Sequence, residues 1–82
     1  MSDWFVYIVE CGDGTLYTGI ARNPDLRERE HNAGKGARYT RARRPVKLVY
    51  REPANDRGAA QKREHQIKQL SRDEKRLLIG SG

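Results

Sequence analysis

Short runs of apolar residues along this chain predict three β-strands. Trp4–Val9 is an unbroken apolar and aromatic run of β-formers that is too short for a buried helix, so we expect a strand covered on both faces. The Asp-Gly pair within Gly12–Gly14 predicts a hairpin turn, and Leu16–Ile20 the returning strand. Val46–Glu52 alternates apolar and polar positions, which predicts a third strand, with one more polar face, at a sheet edge.

The segment after the second strand carries a helix-start signal. Asn23 is a preferred N-cap residue, and Pro24 is tolerated at the first helical position. Gly34 supplies a stop, so we expect the helix to end near Asn32. Leu26 is its only large apolar residue, and we therefore expect Leu26 to anchor the helix while most of the remaining surface faces solvent or a ligand.

Two further helices are predicted near the C-terminus. Asn55 or Asp56 can cap a helix that runs to Leu70, and Ser71–Glu74 matches a capping box that opens a last helix ended by Gly80. The resulting order is β-β-α-β-α-α. This order predicts an α+β fold: a small three-stranded antiparallel sheet flanked by three helices.

The chain has 82 residues, the size of one small domain, and we expect its core to span about residues 4–79. The formal net charge is +6. One segment, Gly34–Lys47, contains no acidic residue and carries six basic ones, as many as the whole net charge: Lys35, Arg38, Arg41, Arg43, Arg44 and Lys47. Because like charges repel one another, this segment favours a polyanionic partner.

Cysteine content and hydropathy exclude several other classes. Cys11 is the only cysteine, so neither an internal disulfide nor a cysteine zinc site is expected. The first residues lack a basic region followed by a long apolar run, which argues against a signal peptide. No apolar run approaches the roughly 20 residues that span a bilayer. We therefore expect a reduced, cytoplasmic protein that does not enter the membrane.

One carboxylate is placed where a helix is otherwise apolar. Glu64 lies four residues after Ala60 and three before Ile67, within the apolar stripe. Such a carboxylate is costly unless it is ion-paired or binds a cation. Glu64 therefore either pairs with a lysine or arginine or binds a hard cation such as Mg²⁺, which takes one or two protein carboxylates and keeps several waters. A two-metal site is not expected, because no second carboxylate clusters with it.

Two tyrosines and two residues of the first helix are candidates for the same site. Tyr7 and Tyr17 lie on successive strands, but the long turn leaves the register open, and with it whether they share a face. Arg27 and His31 are four residues apart and lie on one helix face. Each residue alone has an ordinary role: aromatic packing for the tyrosines, a solvated charge for Arg27, and a surface or partner-pairing histidine for His31.

The basic segment places an aromatic residue among its cations. Gly34–Pro45 has no clean periodicity, so we predict a loop with at most one turn of helix. Its composition suits phosphate contacts with a base or sugar stacked on Tyr39, and the alternative is a solvated loop without function. The candidate nucleic-acid contacts are Lys35, Arg38, Tyr39, Arg41, Arg43 and Arg44.

In order and spacing these residues resemble the GIY-YIG nuclease domain, and especially its short stand-alone bacterial members. The family's two motifs, helix arginine and metal-binding glutamate fall, in order, on Phe5–Tyr7, Tyr17–Gly19, Arg27 and Glu64. Gly34–Thr40 and Ile67–Leu70 look like hallmarks of the stand-alone subfamily. The similarity extends over almost the whole chain.

The resemblance implies metal-dependent hydrolysis of phosphodiester bonds in DNA, in repair or processing. Carried over, Tyr17 would be the general base, and Tyr7 would position the water or share that role. Arg27 would stabilise the pentacoordinate phosphate, Glu64 would bind one Mg²⁺ or Mn²⁺, and His31 would be an auxiliary group. A tyrosine with an ordinary pKa near 10 is a poor base at neutral pH, so Arg27 or the metal would have to lower that pKa.

Some positions depart from the family pattern. Phe5 and Val6 replace the first two letters of the first motif, and Thr18 the middle letter of the second. The asparagine that some members carry in the last helix has no equivalent here, and we expect no separate DNA-recognition domain within these 82 residues. The basic segment or a protein partner would then provide targeting.

Two other functions stay open at this point. One is a nucleic-acid-binding module without turnover, and the weaker one is an adaptor whose basic segment docks on an acidic protein. Whether the DNA would be single- or double-stranded also stays open.

Overall fold

The structure, a computed structural model, describes residues 3–81, and residues 1, 2 and 82 lie outside the described part. The elements are β1 (Trp4–Glu10), β2 (Leu16–Ala21), α1 (Pro24–Asn32), α2 (Arg38–Arg41), β3 (Lys47–Ala54), α3 (Arg57–Lys68) and α4 (Arg72–Ser81). The strands form one antiparallel sheet in the order β2-β1-β3. The predicted α+β class and sheet are confirmed, with α2 as an additional one-turn helix.

β1 is the central strand, and its pairing with β2 decides the register that the sequence left open. Tyr7 stands opposite Gly19, and Val9 stands opposite Tyr17. Successive side chains of a strand alternate between faces, so Tyr7 and Tyr17 lie on the same face of the sheet. The hairpin therefore brings both tyrosines towards α1.

Apolar clusters cover both faces of the sheet, as the unbroken run of β1 predicts. The cluster on the tyrosine face contains Tyr7, Val9, Cys11, Ala21 and Val46, and Cys11 is a buried free thiol. The cluster on the other face lies beneath α3 and α4 and is centred on Val6, Ile8, Ala60 and Ile67. The helices thus divide between the two faces.

α1 is held on the sheet by polar contacts, and the prediction that Leu26 anchors it is wrong, since Leu26 is 45% exposed. The side chain of Asn32 accepts the backbone N–H of Val46 at 2.7 Å and donates to the carbonyl of the same residue at 3.0 Å. Glu28 accepts the backbone N–H of Leu48. These side chains bond to the backbone just before and within the start of β3, on the edge where no strand pairs among the residues that the structure describes.

Capping side chains set the helix starts much as predicted. Asn23 and Asp56 each accept a first-turn backbone N–H, at 3.1 and 2.7 Å. The Ser71–Glu74 capping box forms in both directions. α4 continues to Ser81, so the prediction that Gly80 ends it is wrong. Within residues 3–81, no helix has the length and apolar composition needed to cross a bilayer.

Candidate active site

The centre of the candidate site is a hydrogen bond between a strand and a helix. The Oη atom of Tyr7 on β1 lies 2.8 Å from Nε2 of His31 on α1. Both residues are buried, at 1% and 0% exposure. Gly19 makes room for the tyrosine, because a Cβ there would lie 2.5 Å from Tyr7 Oη. His31 is therefore not a surface residue, and pairing with Tyr7 is the role it takes.

The other imidazole nitrogen is held by the basic segment. Nδ1 of His31 lies 2.7 Å from Oγ1 of Thr40 on α2, which is itself fully buried. Gly36 lets the segment approach, since a Cβ at this position would lie 2.6 Å from Cγ of His31 and overlap the ring. Residues of β1, α1 and α2 thus meet in one buried arrangement.

Burial keeps both members of the central pair neutral at neutral pH. It lowers the pKa of the His31 imidazole, and the positive charge of Arg27 lowers this pKa further. Burial raises the pKa of Tyr7 to about 12, although the nearby Arg27 guanidinium opposes this rise. Tyr7 is thus not the ionised base that the resemblance requires.

Arg27 lies between this buried pair and solvent. Its side chain is 33% exposed, and its Nη1 atom donates to a carboxylate oxygen of Glu30 at 3.2 Å. The guanidinium is also close enough to the Tyr7 phenol to influence the pKa of that group. A positive charge beside Tyr7 is the arrangement expected of a phosphate contact.

Tyr17 lies at the rim of the site and connects it to the basic segment. Its ring packs edge-on against His31 with centroids 5.6 Å apart, and stacks on Tyr39 at 5.8 Å. The Arg43 guanidinium lies 3.9 Å from the centroid of the Tyr39 ring. A nucleotide base would therefore have to displace Arg43 or Tyr17 to stack fully on Tyr39. Within residues 3–81, the Tyr17 hydroxyl makes no hydrogen bond.

Glu64 reaches the site from α3 together with a lysine. Its carboxylate is 22% exposed and lies 3.3 Å from Nζ of Lys68 one turn later. The same Nζ atom lies 6.0 Å from the centroid of the Tyr17 ring. The ion-paired alternative for Glu64 therefore describes the protein without a bound cation, and Lys68 places a positive charge beside Tyr17.

The donor set limits the kind of metal that this site could hold. Among residues 3–81, no three His, Cys, Asp or Glu side chains cluster as a metal site. A single partly exposed carboxylate does not fit a metal held by protein ligands alone. It fits a hydrated Mg²⁺ or Mn²⁺ that completes its shell with waters and substrate phosphate.

In the described part of the chain, the basic side chains of this segment form no hydrogen bond or ion pair with Tyr7, His31 or Glu64. Arg43 pairs with Asp13 at 3.1 Å, and Arg44 donates to the backbone carbonyls of Arg41 and Asn32. The exposed members are Lys35, Arg38, Arg41, Arg44 and Lys47, and none of these five forms an ion pair within residues 3–81. The segment thus presents an uncompensated positive surface beside the site.

Three residues of the site were not predicted from the sequence: Gly36, Thr40 and Lys68. Gly36 and Thr40 lie in Gly34–Thr40, the stretch that resembles a hallmark of the stand-alone subfamily, but nothing in the sequence indicated that either residue contacts His31. The spacing of Glu64 and Lys68 is a helical i,i+4 pair and could have indicated their contact.

Comparison with known proteins gives this arrangement a family. Residues 3–77 match the model of the GIY-YIG catalytic domain. The chain belongs to the GIY-YIG family. The chain is similar to a UPF0213 protein of Desulfotalea psychrophila, with 65% identity over 77 residues that cover 93% of this chain and 70% of that protein. A UPF0213 protein of Staphylococcus epidermidis is 50% identical over 82 residues, which cover all of both chains.

Two solution NMR structures share the GIY-YIG chain's fold. A UPF0213 protein from Bacillus halodurans has 42% identity and a TM-score of 0.59, with 94% of this chain and 82% of that chain covered. A protein from E. faecalis has 34% identity and a TM-score of 0.62, with 99% and 90% covered. Membership of the GIY-YIG family indicates a nuclease-type function, which implies a nucleic-acid substrate.

Proposed function

We propose that this GIY-YIG protein hydrolyses phosphodiester bonds in DNA, with Tyr7 carrying a proton from the attacking water to His31. The observation that carries this proposal is the buried contact of 2.8 Å between Tyr7 Oη and His31 Nε2. Through this contact His31 can accept the proton of the tyrosine, and within residues 3–81 the site otherwise lacks a proton acceptor for this group. The expected setting is DNA repair or processing in the cytoplasm.

The raised pKa of Tyr7 decides how the proton moves. With a pKa of about 12, the phenol stays protonated at neutral pH, so it can accept a proton only while giving up its own. The O–H bond of the water breaks and its proton goes to Tyr7 Oη. The phenolic proton passes to His31 Nε2, the water oxygen bonds to phosphorus, and the P–O bond opposite the attacking water breaks. The leaving oxygen departs as an alkoxide and takes up a proton from solvent. Tyr7 thereby takes the role that the resemblance assigned first to Tyr17.

Arg27 and Tyr17 complete the site towards the substrate. Tyr7 is only 1% exposed, so the phosphate and its water must approach from the side of Arg27, whose side chain is 33% exposed. There the guanidinium stabilises the negative charge of the pentacoordinate phosphate. Tyr17 has a hydroxyl free to position the water or a phosphate oxygen.

Glu64 is the residue that would hold a divalent ion, Mg²⁺ or Mn²⁺. When bound, this ion would supply positive charge to the phosphate and the leaving oxygen. The unpaired cations beside the site (Lys35, Arg38, Arg41 and Arg44) would contact the DNA backbone, together with Arg43 and Tyr39 at the rim.

Plasmid nicking with Mg²⁺ or Mn²⁺ tests this function. We expect Tyr7→Phe to lower the nicking rate by about 100-fold, because general-base catalysis typically contributes this much or more. The matched control is Tyr50→Phe, which removes a phenol hydroxyl that bonds to Glu52 at 2.6 Å in another part of the sheet. Arg27→Ala and Glu64→Ala should also lose activity. Equal nicking by the parent and these three site variants would refute the proposal.

A second function is favoured by two observations: five cations of the basic segment are unpaired, and Glu64 already has a cation partner in Lys68. The protein would then bind nucleic acid without cleaving it. The logarithm of the affinity should fall linearly with the logarithm of salt concentration, and Arg38→Ala or Arg41→Ala should each reduce this slope by about one. Lys62→Ala, an exposed lysine of α3, is the control of equal charge. DNA affinity at low salt without nicking supports this function, and absence of affinity excludes it.

A further inference from the structure

Thr40 is a buried hydroxyl in a segment otherwise made of exposed cations. Its Oγ1 atom lies 2.9 Å from the carbonyl oxygen of Ala37 and 2.7 Å from Nδ1 of His31. Thr40 is 0% exposed, so water does not compete for either contact. The proposed transfer from Tyr7 to His31 does not by itself explain why a hydroxyl should be placed here.

The directions of these hydrogen bonds follow from the number of available protons. The carbonyl of Ala37 can only accept, so the single hydroxyl proton of Thr40 is donated to it. Oγ1 then has only lone pairs to offer His31, and Nδ1 must carry the proton of that contact. In a neutral imidazole this leaves Nε2 unprotonated and facing the hydroxyl of Tyr7, which donates to it.

We propose that Thr40 is a positioning residue that fixes His31 in the Nδ1–H tautomer and thereby makes Nε2 the proton acceptor for Tyr7. This inference rests on the proposed function and extends it to the basic segment. In the opposite tautomer, Nε2–H would point at the tyrosine oxygen, and the phenolic proton could not pass to His31.

The position of Thr40 gives this role a further consequence. Thr40 lies within α2, between the exposed Arg38 and Arg41, and Gly36 brings the same segment against the imidazole ring. The segment that we expect to contact DNA is therefore the one that orients the proton acceptor. If this segment moves when DNA binds, the side chain of Thr40 would transmit the movement directly to His31.

The tautomer can be measured without substrate or metal. In long-range ¹H–¹⁵N spectra we expect the parent to show His31 with a protonated Nδ1 and an unprotonated Nε2. The second histidine, His65, is exposed on α3 and serves as an internal reference. Thr40→Val should shift His31 towards a mixture of tautomers, and Thr40→Ser should restore the parent pattern. Thr15→Val, which removes a hydroxyl bonded to Asp13 in the hairpin, should leave His31 unchanged.

A parent spectrum with the proton on Nε2 overturns the inference, and this result does not depend on any variant folding. A Thr40→Val protein that folds and keeps the parent tautomer overturns it as well. In nicking, we expect Thr40→Val to be slower than Thr40→Ser by about 10-fold or more. Absence of nicking by every protein, including the parent, would refute the proposed function while the tautomer result stands on its own.

Discussion

On its inner side the candidate site consists of neutral groups sealed from water, whereas on its outer side it consists of charges that water reaches. Tyr7, His31 and Thr40 are 1%, 0% and 0% exposed and bond to one another. Glu64 and Lys68 keep 22% and 48% of their side chains exposed and form a single ion pair at 3.3 Å.

The inner side requires a fixed hydrogen-bond geometry, whereas the outer side requires charged groups whose partners can be replaced. Buried hydrogen bonds with one arrangement hold the proton path ready before substrate arrives. An exposed ion pair contributes only about 0–1 kcal/mol, so a metal or a phosphate can replace either partner at small cost. We therefore expect changes on the inner side to affect folding and rate together, and changes on the outer side to affect mainly ion binding.

The largest expected effect is a loss of stability when a methyl group is added at Gly36, on the inner side. Gly36→Ala would place a Cβ against the buried His31 ring, and overpacking of this kind typically costs about 1–3 kcal/mol. Urea unfolding followed by circular dichroism measures this loss. Gly58→Ala is the matched control, because its Cβ would lie 3.5 Å from the nearest side-chain atom, in a helix where alanine is favoured. Equal stability of Gly36→Ala and the parent would show that the inner side is not closely packed.

The buried pair of Tyr7 and His31 should also make the protein less stable at both acidic and alkaline pH. Unfolded histidine takes up a proton near pH 6.5, whereas burial lowers the pKa of His31 in the fold. Below that pH the unfolded state binds more protons, so the free energy of unfolding falls as pH decreases. The pKa of Tyr7 rises from 10.0 to about 12, so the unfolded state loses its proton first and the free energy of unfolding falls as pH increases above 10.

Urea unfolding at a series of pH values checks both ends. His31→Gln should remove the loss that begins near pH 6.5, whereas His65→Gln, on the surface of α3, should not. Tyr7→Phe should reduce the alkaline loss by about 1–3 kcal/mol between pH 10 and 12. Part of the alkaline loss should persist, because the pKa of Tyr50 is also raised to about 12 by burial. Unchanged pH profiles in both His31→Gln and Tyr7→Phe would contradict the sealed inner side.

The smallest expected effect is a change in metal affinity on the outer side. Lys68→Met frees the carboxylate of Glu64 and should strengthen Mn²⁺ binding about three- to fivefold, in line with the modest energy of exposed ion pairs. Mn²⁺ titration followed by electron paramagnetic resonance measures this without any substrate. Lys62→Met lowers the net charge equally on the same helix and should leave the affinity near that of the parent. If both lysine variants behave alike, only net charge matters and the pair with Glu64 does not.

The sequence predicted best the features that repeat along the chain. The unbroken run of β1, the alternation of β3 and the capping residues Asp56 and Ser71 each follow from local periodicity or local hydrogen bonding. Family motifs then indicated that Tyr7 and Glu64 belong to one region. The strand and capping signals depend on neighbouring residues and can be recognised in the sequence alone, whereas the link between Tyr7 and Glu64 came only from the family resemblance.

What the sequence did not predict depends on single contacts between distant residues. α1 has no apolar stripe, so nothing in its pattern indicated that His31 is buried or that Leu26 is exposed. The bond between His31 and Thr40 joins residues nine positions apart through a loop. A hydroxyl among arginines has no periodicity, and its role appears only when three elements are brought together.

The polar docking of α1 also bears on self-association. An outer strand with free N–H and carbonyl groups is a template for pairing with another chain, and therefore for aggregation. Asn32 engages both backbone groups of Val46, and Glu28 engages the N–H of Leu48, so α1 occupies this end of the β3 edge. Pro53, which has no N–H to donate, interrupts the other end. The helix that carries Arg27 and His31 thus also protects the β3 edge of the sheet from pairing with a strand of another chain.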